Sequence, residues 1–276
     1  MNSRSVLKRV LCLHGYSQNA TRFRNSMGAI RKAMKNEIEF VILSHCWFLV
    51  YMDAPFVATM PRPDQIMREG EGKPLAWWNM TTPKPSDELK QSLIKVYEFM
   101  AAHGPFDGLL GFSQGAGMVP LILALLHHKT NIAQPPTSAA AAAASAAELS
   151  DKEAEFDANF RDLVASVVPT IQSLNLDALP NYPGNIHFAI MFSGFAPGRK
   201  ICYKLLNGDK KNFGFSKLIS SLHVIGTADT VITNEQSRDL ANRLFDQPQL
   251  IVHEGGHFLP STRDYTNKYK DFLSKL

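Results

Sequence analysis

Gly108-Leu109-Leu110-Gly111-Phe112-Ser113-Gln114-Gly115-Ala116 is the stretch on which the reading of this chain turns. Phe106 to Leu110 reads as a short apolar strand entered through a turn, and Ala116 to Leu125 is an apolar segment of helical length. A Gly-x-Ser-x-Gly pentapeptide between strand and helix puts its serine at the tip of a sharp, strained turn. Glycine on either side leaves room for neighbouring backbone. Ser113 is therefore the candidate nucleophile. Pro120, inside the helix that follows, removes a hydrogen bond and predicts a kink or a short first helical piece.

A nucleophilic serine needs a base, and imidazole has a suitable unperturbed pKa. The base in turn needs a carboxylate that fixes its tautomer and stabilises the imidazolium. Ser221 to Ile225 reads as a strand running into the polar loop Gly226-Thr227-Ala228-Asp229-Thr230. Gln249 to Val252 reads as another, leading into His253-Glu254-Gly255-Gly256-His257. The order Ser113, Asp229, His257 is that of α/β-hydrolases, with acid and base on loops after late strands. The bland alternative makes Asp229 a turn residue and His257 a surface histidine.

His253-Glu254-Gly255-Gly256-His257 also matches the His-Glu-x-x-His zinc motif, which works only where a helix puts both imidazoles on one face. The two glycines each cost a helix about 1 kcal/mol against alanine, Pro260 follows, and a strand precedes. The metal reading is rejected. The oxyanion hole has one expected donor in the Gln114 main-chain N–H, at a helix N-terminus. The other is expected from the loop after Val10-Leu11-Cys12-Leu13, where Gly15 permits a tight turn. Tyr16 is the first choice and Ser17 the second, while Asn19 or Ser17 also suits a helix cap.

Leu13-His14-Gly15-Tyr16-Ser17-Gln18-Asn19, Tyr51-Met52-Asp53-Ala54-Pro55 and Gly104-Pro105-Phe106-Asp107-Gly108, leading into the Ser113 elbow, together resemble the fungal serine hydrolase family abbreviated FSH. Phe192-Ser193-Gly194-Phe195, Gly226-Thr227-Ala228-Asp229 and His253-Glu254-Gly255-Gly256-His257 continue the resemblance, which covers most of the chain outside roughly residues 130–180. The family includes a human ovarian-cancer-associated hydrolase and thioesterases of fungal polyketide pathways. The resemblance implies an α/β-hydrolase fold, hydrolysis of carboxylic esters or thioesters, and a triad on Ser113, Asp229 and His257.

The chain departs from that pattern in two places. Between Phe40 and Tyr51 it is longer than expected, which fits an extended strand, a bulged hairpin or an imperfect gene model. Between His127 and Asn185, Pro135-Pro136 opens a low-complexity alanine run from Ala139 to Ala147 that reads as an inserted linker. After it, Phe156, Phe160, Leu163, Val164, Val167 and Val168 recur at helical spacing. That stripe reads as a core-facing helix, with a lid over an acyl pocket as the alternative. Trp77, Trp78 and Phe56 are candidates for the pocket wall.

With 276 residues, 45% hydrophobic and 20% charged, residues 1–276 are read as a single α/β-hydrolase domain. Strands near Lys8–Leu13, Ile38–Met52, Leu109–Phe112, His187–Phe192, Leu222–Ile225 and Gln249–Val252 alternate with helical stretches, which predicts a mostly parallel sheet with helices on both faces. A net charge of +4 without an arginine stripe gives no sign of nucleic acid. Cys12, Cys46 and Cys202 suit neither a disulfide framework nor a zinc site. No apolar run is long enough to span a membrane, and no signal peptide fits.

Ser274-Lys275-Leu276 is the peroxisomal address, read by an import receptor. The expected location is thus peroxisomal, or cytoplasmic if the signal is masked. Its alternative is the end of an amphipathic helix with Tyr265, Tyr269, Phe272 and Leu273 facing the core. The expected function is a cofactor-free serine hydrolase acting on an acyl ester or thioester through an acyl-enzyme, with a role in fungal secondary metabolism. The alternatives are an acyltransferase on the same triad and a hydrolase-fold binding protein without turnover.

Overall fold

A run that is apolar at every position, such as Val10-Leu11-Cys12-Leu13 in the first strand, needs cover on both faces, and here it obtains it. Val10, Leu11, Cys12 and Leu13 are all fully buried. The computed structural model describes residues 8–33, 38–39, 49–60, 70–81, 85–131, 162–163, 165–174, 186–197 and 219–276. Strand β1 (Lys8–Leu13) is followed by helices α1 (Ala20–Ser26) and α2 (Gly28–Ala33), then strands β2 (Ile38–Glu39), β3 (Leu49–Met52), β4 (Phe56–Val57) and β5 (Leu75–Ala76). Helix α3 (Pro85–His103), β6 (Gly108–Phe112), α4 (Gln114–Asn131) and β7 (Phe188–Phe192) come next. The chain continues with β8 (Ser220–Gly226), α5 (Asn234–Leu244), β9 (Gln249–His253) and α6 (Arg263–Leu273).

Seven strands form one sheet in the order β2-β1-β6-β7-β8-β9, with β3 also paired to β1. Every pairing in it is parallel. The side-chain period of two divides β1 between two layers. Val10 and Cys12 join Phe23, Met27 and Ile30 of α1 and its neighbours, and Tyr269, Phe272 and Leu273 of α6. Leu11 and Leu13 join Leu93, Val96 and Met100 of α3, the apolar side chains of α4, and Leu240 and Leu244 of α5. Helices thus cover both faces, the arrangement of an α/β-hydrolase.

The expected strand from Ile38 to Met52 is two strands. Lys8 and Arg9 pair with Ile38 and Glu39, and the next residue, Val10, pairs with Leu49. The edge of β1 therefore passes from Glu39 directly to Leu49, and residues 40–48 lie outside the described residues. Of the two outcomes expected at Pro120, the short first helical piece does not occur, since α4 runs undivided from Gln114 to Asn131. An interior proline costs a helix about 3 kcal/mol. Met118, Val119, Leu121 and Ile122 are fully buried beside it, at about 1.5–3 kcal/mol each, which outweighs that loss.

The two-residue strands β4 and β5 form a separate antiparallel ribbon. Of the apolar stripe that follows the alanine run, Leu163, Val167 and Val168 are buried in the core, with Ile171. Phe156, Phe160, Val164 and the alanines themselves are outside the described residues. At the other end, α6 buries Tyr269, Phe272 and Leu273 as its spacing predicts, with Thr266 beside them and Tyr265 only partly buried. Main-chain N–H groups of Ser274, Lys275 and Leu276 donate back to Lys270, Phe272 and Leu273, and Leu276 packs against the core. No described helix is long and apolar enough to cross a membrane.

Candidate active site

The turn between β6 and α4 is built from close approaches. A Cβ on Gly111 would collide with the backbone of Ala116, and one on Gly115 with the Leu13 carbonyl. Between them Ser113 takes a left-handed backbone, φ 53°, a conformation that costs a non-glycine residue about 1–3 kcal/mol. It is fixed from both sides: its N–H donates to the Phe192 carbonyl at 2.9 Å, and its carbonyl accepts from Gly117 at 3.0 Å. The hydroxyl emerges at the carboxyl edge of the sheet.

Asp229 reaches that edge on the loop after β8. Its Oδ1 accepts main-chain N–H groups from Val231 and Ile232, both at 2.9 Å, just before Thr233 caps α5 in a capping box with Gln236. His257 arrives on the loop between β9 and α6, its ring 4.9 Å from that of Phe112. The separation between His257 Nδ1 and Asp229 Oδ2 is 2.7 Å, and that between His257 Nε2 and Ser113 Oγ is 2.9 Å. A carboxylate only accepts, so the ring proton lies on Nδ1 and Nε2 keeps its lone pair for the serine. Ser113, His257 and Asp229 thus stand in one hydrogen-bonded line.

Burial opposes a charge on Asp229, yet the hydrogen bonds from His257, Ile232 and Ser193 outweigh it and lower its carboxyl to about 2. His253 shares no centre with His257: its Nδ1 accepts the Gly255 N–H at 3.2 Å, and burial lowers its pKa. The pair diverges because β9 ends at His253 and Gly255-Gly256 turn the chain. Among the described residues, no group of three His, Cys, Asp or Glu side chains is placed to hold a metal.

The β1–α1 loop makes the expected tight turn, the Gln18 N–H donating to the Gly15 carbonyl at 3.2 Å. Its left-handed residue is Ser17, φ 61°, whereas Gly15 has no positive φ and is small because the Phe112 ring packs against it. The Ser17 N–H donates to the Leu75 carbonyl at 2.8 Å, which removes Ser17 as an oxyanion donor. No loop or cap hydrogen bond among the described residues uses the N–H of Tyr16 or Gln114. Asn19 is the cap of α1, accepting from the Arg22 N–H. His14 is buried and neutral, lowered to about 4 by burial; its Nε2 accepts from the Ala54 N–H at 3.0 Å.

Four supports of the site go beyond the roles read from the sequence. Ser193 Oγ donates to Asp229 Oδ2 at 2.8 Å. The Gln114 side chain accepts from the Trp77 N–H at 2.9 Å and donates to the Trp78 carbonyl at 2.7 Å. Trp77 Nε1 donates to the His14 carbonyl at 2.8 Å, so the loop after β1 and the start of α4 are braced on one tryptophan. The Tyr16 hydroxyl donates to Asn79 Oδ1 and accepts from the Met60 N–H. The sequence offers Gln114, Tyr16, Trp77 and Trp78 for other roles and Ser193 only within Phe192-Ser193-Gly194-Phe195, and it carries no signal for these bonds.

A family model described as serine hydrolase (FSH1) matches residues 3–269. The chain belongs to the FSH1 serine hydrolase family. A relative of this FSH1 family member, Esterase OVCA2 of Danio rerio, is 30% identical over 281 residues, covering 98% of each chain. The Homo sapiens Esterase OVCA2 is 27% identical over 294 residues, covering 97% of this chain and 96% of the relative. Among solved structures, acyl-protein thioesterase 2 of Zea mays superposes with a TM-score of 0.56 at 13% identity, covering 99% of this chain and 97% of that one. Esterase PE8 gives 0.53 at 16% identity, covering 98% and 93%. At such identities the likeness is one of fold, and that fold is the α/β-hydrolase.

Proposed function

We propose that this FSH1 family hydrolase cleaves carboxylic esters or acyl thioesters through an acyl-enzyme on Ser113. The reading rests on the hydrogen-bonded line Ser113–His257–Asp229. The relatives' name, esterase, supports the substrate class. Ser113 Oγ attacks the acyl carbon while its proton passes to His257 Nε2. The oxyanion is held by the main-chain N–H groups of Tyr16 and Gln114, the second at the start of α4, where the helix dipole favours negative charge. His257 then gives the proton to the departing alkoxide or thiolate. Water repeats the sequence on the acyl-enzyme, returning the acid and free Ser113. Asp229, ionised throughout, holds the proton-bearing Nδ1 and stabilises the imidazolium.

Within that class the proposal extends to acyl thioesters of fungal secondary metabolism, supported by the resemblance to thioesterases of polyketide pathways. The experiment is a panel of p-nitrophenyl esters and acyl-CoA thioesters of graded chain length, run on purified protein and on Ser113→Ala. Turnover by the parent and none by the variant is expected. Hydrolysis retained in Ser113→Ala overturns the assignment of the nucleophile, and parent turnover confined to simple esters overturns the thioester extension.

A further inference from the structure

We propose that Ser193 is a positioning residue for Asp229 and His257, a fourth member of the hydrogen-bonded line. The inference rests on the reading of Ser113, His257 and Asp229 given above. Ser193 follows β7 as Ser113 follows β6, and Phe112 and Phe192 are register partners, so the two serines are neighbours at the carboxyl edge. Each extends the sheet by one hydrogen bond before turning away: Ser113 N–H to the Phe192 carbonyl, Ser193 N–H to the Val224 carbonyl, both at 2.9 Å. Each takes a left-handed backbone, φ 53° and 47°.

Glycine adopts such a backbone without steric cost, so a serine there calls for something its hydroxyl does. Ser193 is 1% exposed, and its hydroxyl donates to the carboxylate oxygen that also takes the His257 proton. With Val231 and Ile232 on the other oxygen, all four carboxylate acceptor sites are filled. The turn is held in turn by α5, where Ser237 Oγ donates to the Gly194 carbonyl at 2.8 Å and Leu240 packs against Gly194.

Among the described residues, the titratable groups facing Asp229 are His257, from the β9–α6 loop, and His253, at the end of β9. From β7 and the approach to α5 the carboxylate meets the Ser193 hydroxyl and main-chain N–H groups. Removing the Ser193 donor leaves Oδ2 more basic, so it holds the imidazolium of His257 more tightly. The acid limb of kcat/KM then moves to higher pH, and proton return to the leaving group slows.

The test uses Ser193→Ala and Ser193→Gly in the full chain, with p-nitrophenyl butyrate as probe, pH–rate profiles, thermal melts and fluorophosphonate titration of active sites. Both variants are expected to lose about tenfold in kcat with KM within about twofold, as for a lost hydrogen bond to a charged group. In both, the acid limb is expected to rise by about half a pH unit. Ser193→Gly should melt at or above Ser193→Ala because it relieves the left-handed backbone, so activity and stability part company. Profiles of both variants that superimpose on the parent, or parent kinetics restored in Ser193→Gly, overturn the inference. Ser113→Ala assayed alongside separates the two readings. If it is inactive while the Ser193 variants are unchanged, only the role of Ser193 falls; if it is active, both fall.

Discussion

Gln114 holds Trp77: its side-chain oxygen accepts the Trp77 N–H at 2.9 Å, and its amide nitrogen reaches on to the Trp78 carbonyl at 2.7 Å. The residue after the candidate nucleophile therefore ties the elbow to the segment that follows the β4–β5 ribbon. Gln114→Ala keeps the main-chain N–H but strands two buried main-chain groups. The expected cost is about 2–4 kcal/mol in stability, read by chemical denaturation, with a fall in kcat/KM on the ester panel. A variant as stable as the parent contradicts this.

Ser113 offers a separation of stability from activity. Ser113→Ala and Ser113→Gly both remove the proposed nucleophile and are expected to lose at least about 1,000-fold in kcat. Only glycine relieves the φ of 53°, so Ser113→Gly should be the more stable of the two by about 1 kcal/mol. Equal melting temperatures would mean that the elbow stores no strain.

Two fully buried histidines contribute to the acid response, beside His253, which burial also lowers. Burial lowers His14 from 6.5 to about 4 and His223 from 6.5 to about 3. Below 6.5 the unfolded chain takes up protons that these imidazoles refuse when folded. Stability is therefore full above that value and falls with pH, by up to about 1.4 kcal/mol per pH unit for each group. The fall from His14 ends near 4 and that from His223 near 3. Denaturation curves between about pH 8 and about pH 5 should show it, and His223→Gln should flatten the slope. An unchanged slope in that variant rules out His223 as a contributor.

The register along β1 makes a prediction about residues 40–48. Arg9 pairs with Glu39 and Val10 with Leu49, so joining Glu39 to Leu49 leaves one strand with an unbroken ladder and unchanged facing. Deleting Phe40 through Phe48 should give a folded, active protein that melts no lower than the parent. Loss of folding or of ester hydrolysis in the deleted chain counts against it.

The elbow was legible because it is local: strand, Gly-x-Ser-x-Gly and helix occupy one stretch, and burial on both sheet faces writes itself as unbroken apolar runs. Asp229 and His257 were legible through their order and through the strands before them. Ser193 was not, because neither its left-handed φ nor a partner 36 positions away leaves a periodic trace. The ribbon was missed for a related reason, since strands of two residues are too short to alternate. The division of the second strand lay hidden too, because Val41-Ile42-Leu43 is as apolar as a strand and nothing in the sequence marks a break between Glu39 and Leu49. Tyr16 was preferred to Ser17 by position alone. The hydrogen bond from Ser17 to Leu75, which separates them, depends on a residue far along the chain.

Trp77 gives the protein a built-in optical gauge. Its indole nitrogen is bonded to the loop after β1, and its backbone to the residue beside the elbow. A shift of either loop in the proposed acylation of Ser113 should change the polarity around one buried chromophore. Trp47, the one tryptophan remote from this pair in sequence, falls within the nine positions between Glu39 and Leu49. In a chain lacking them, tryptophan emission arises from Trp77 and Trp78 alone, and the proposed acylation of Ser113 should be readable without a dye.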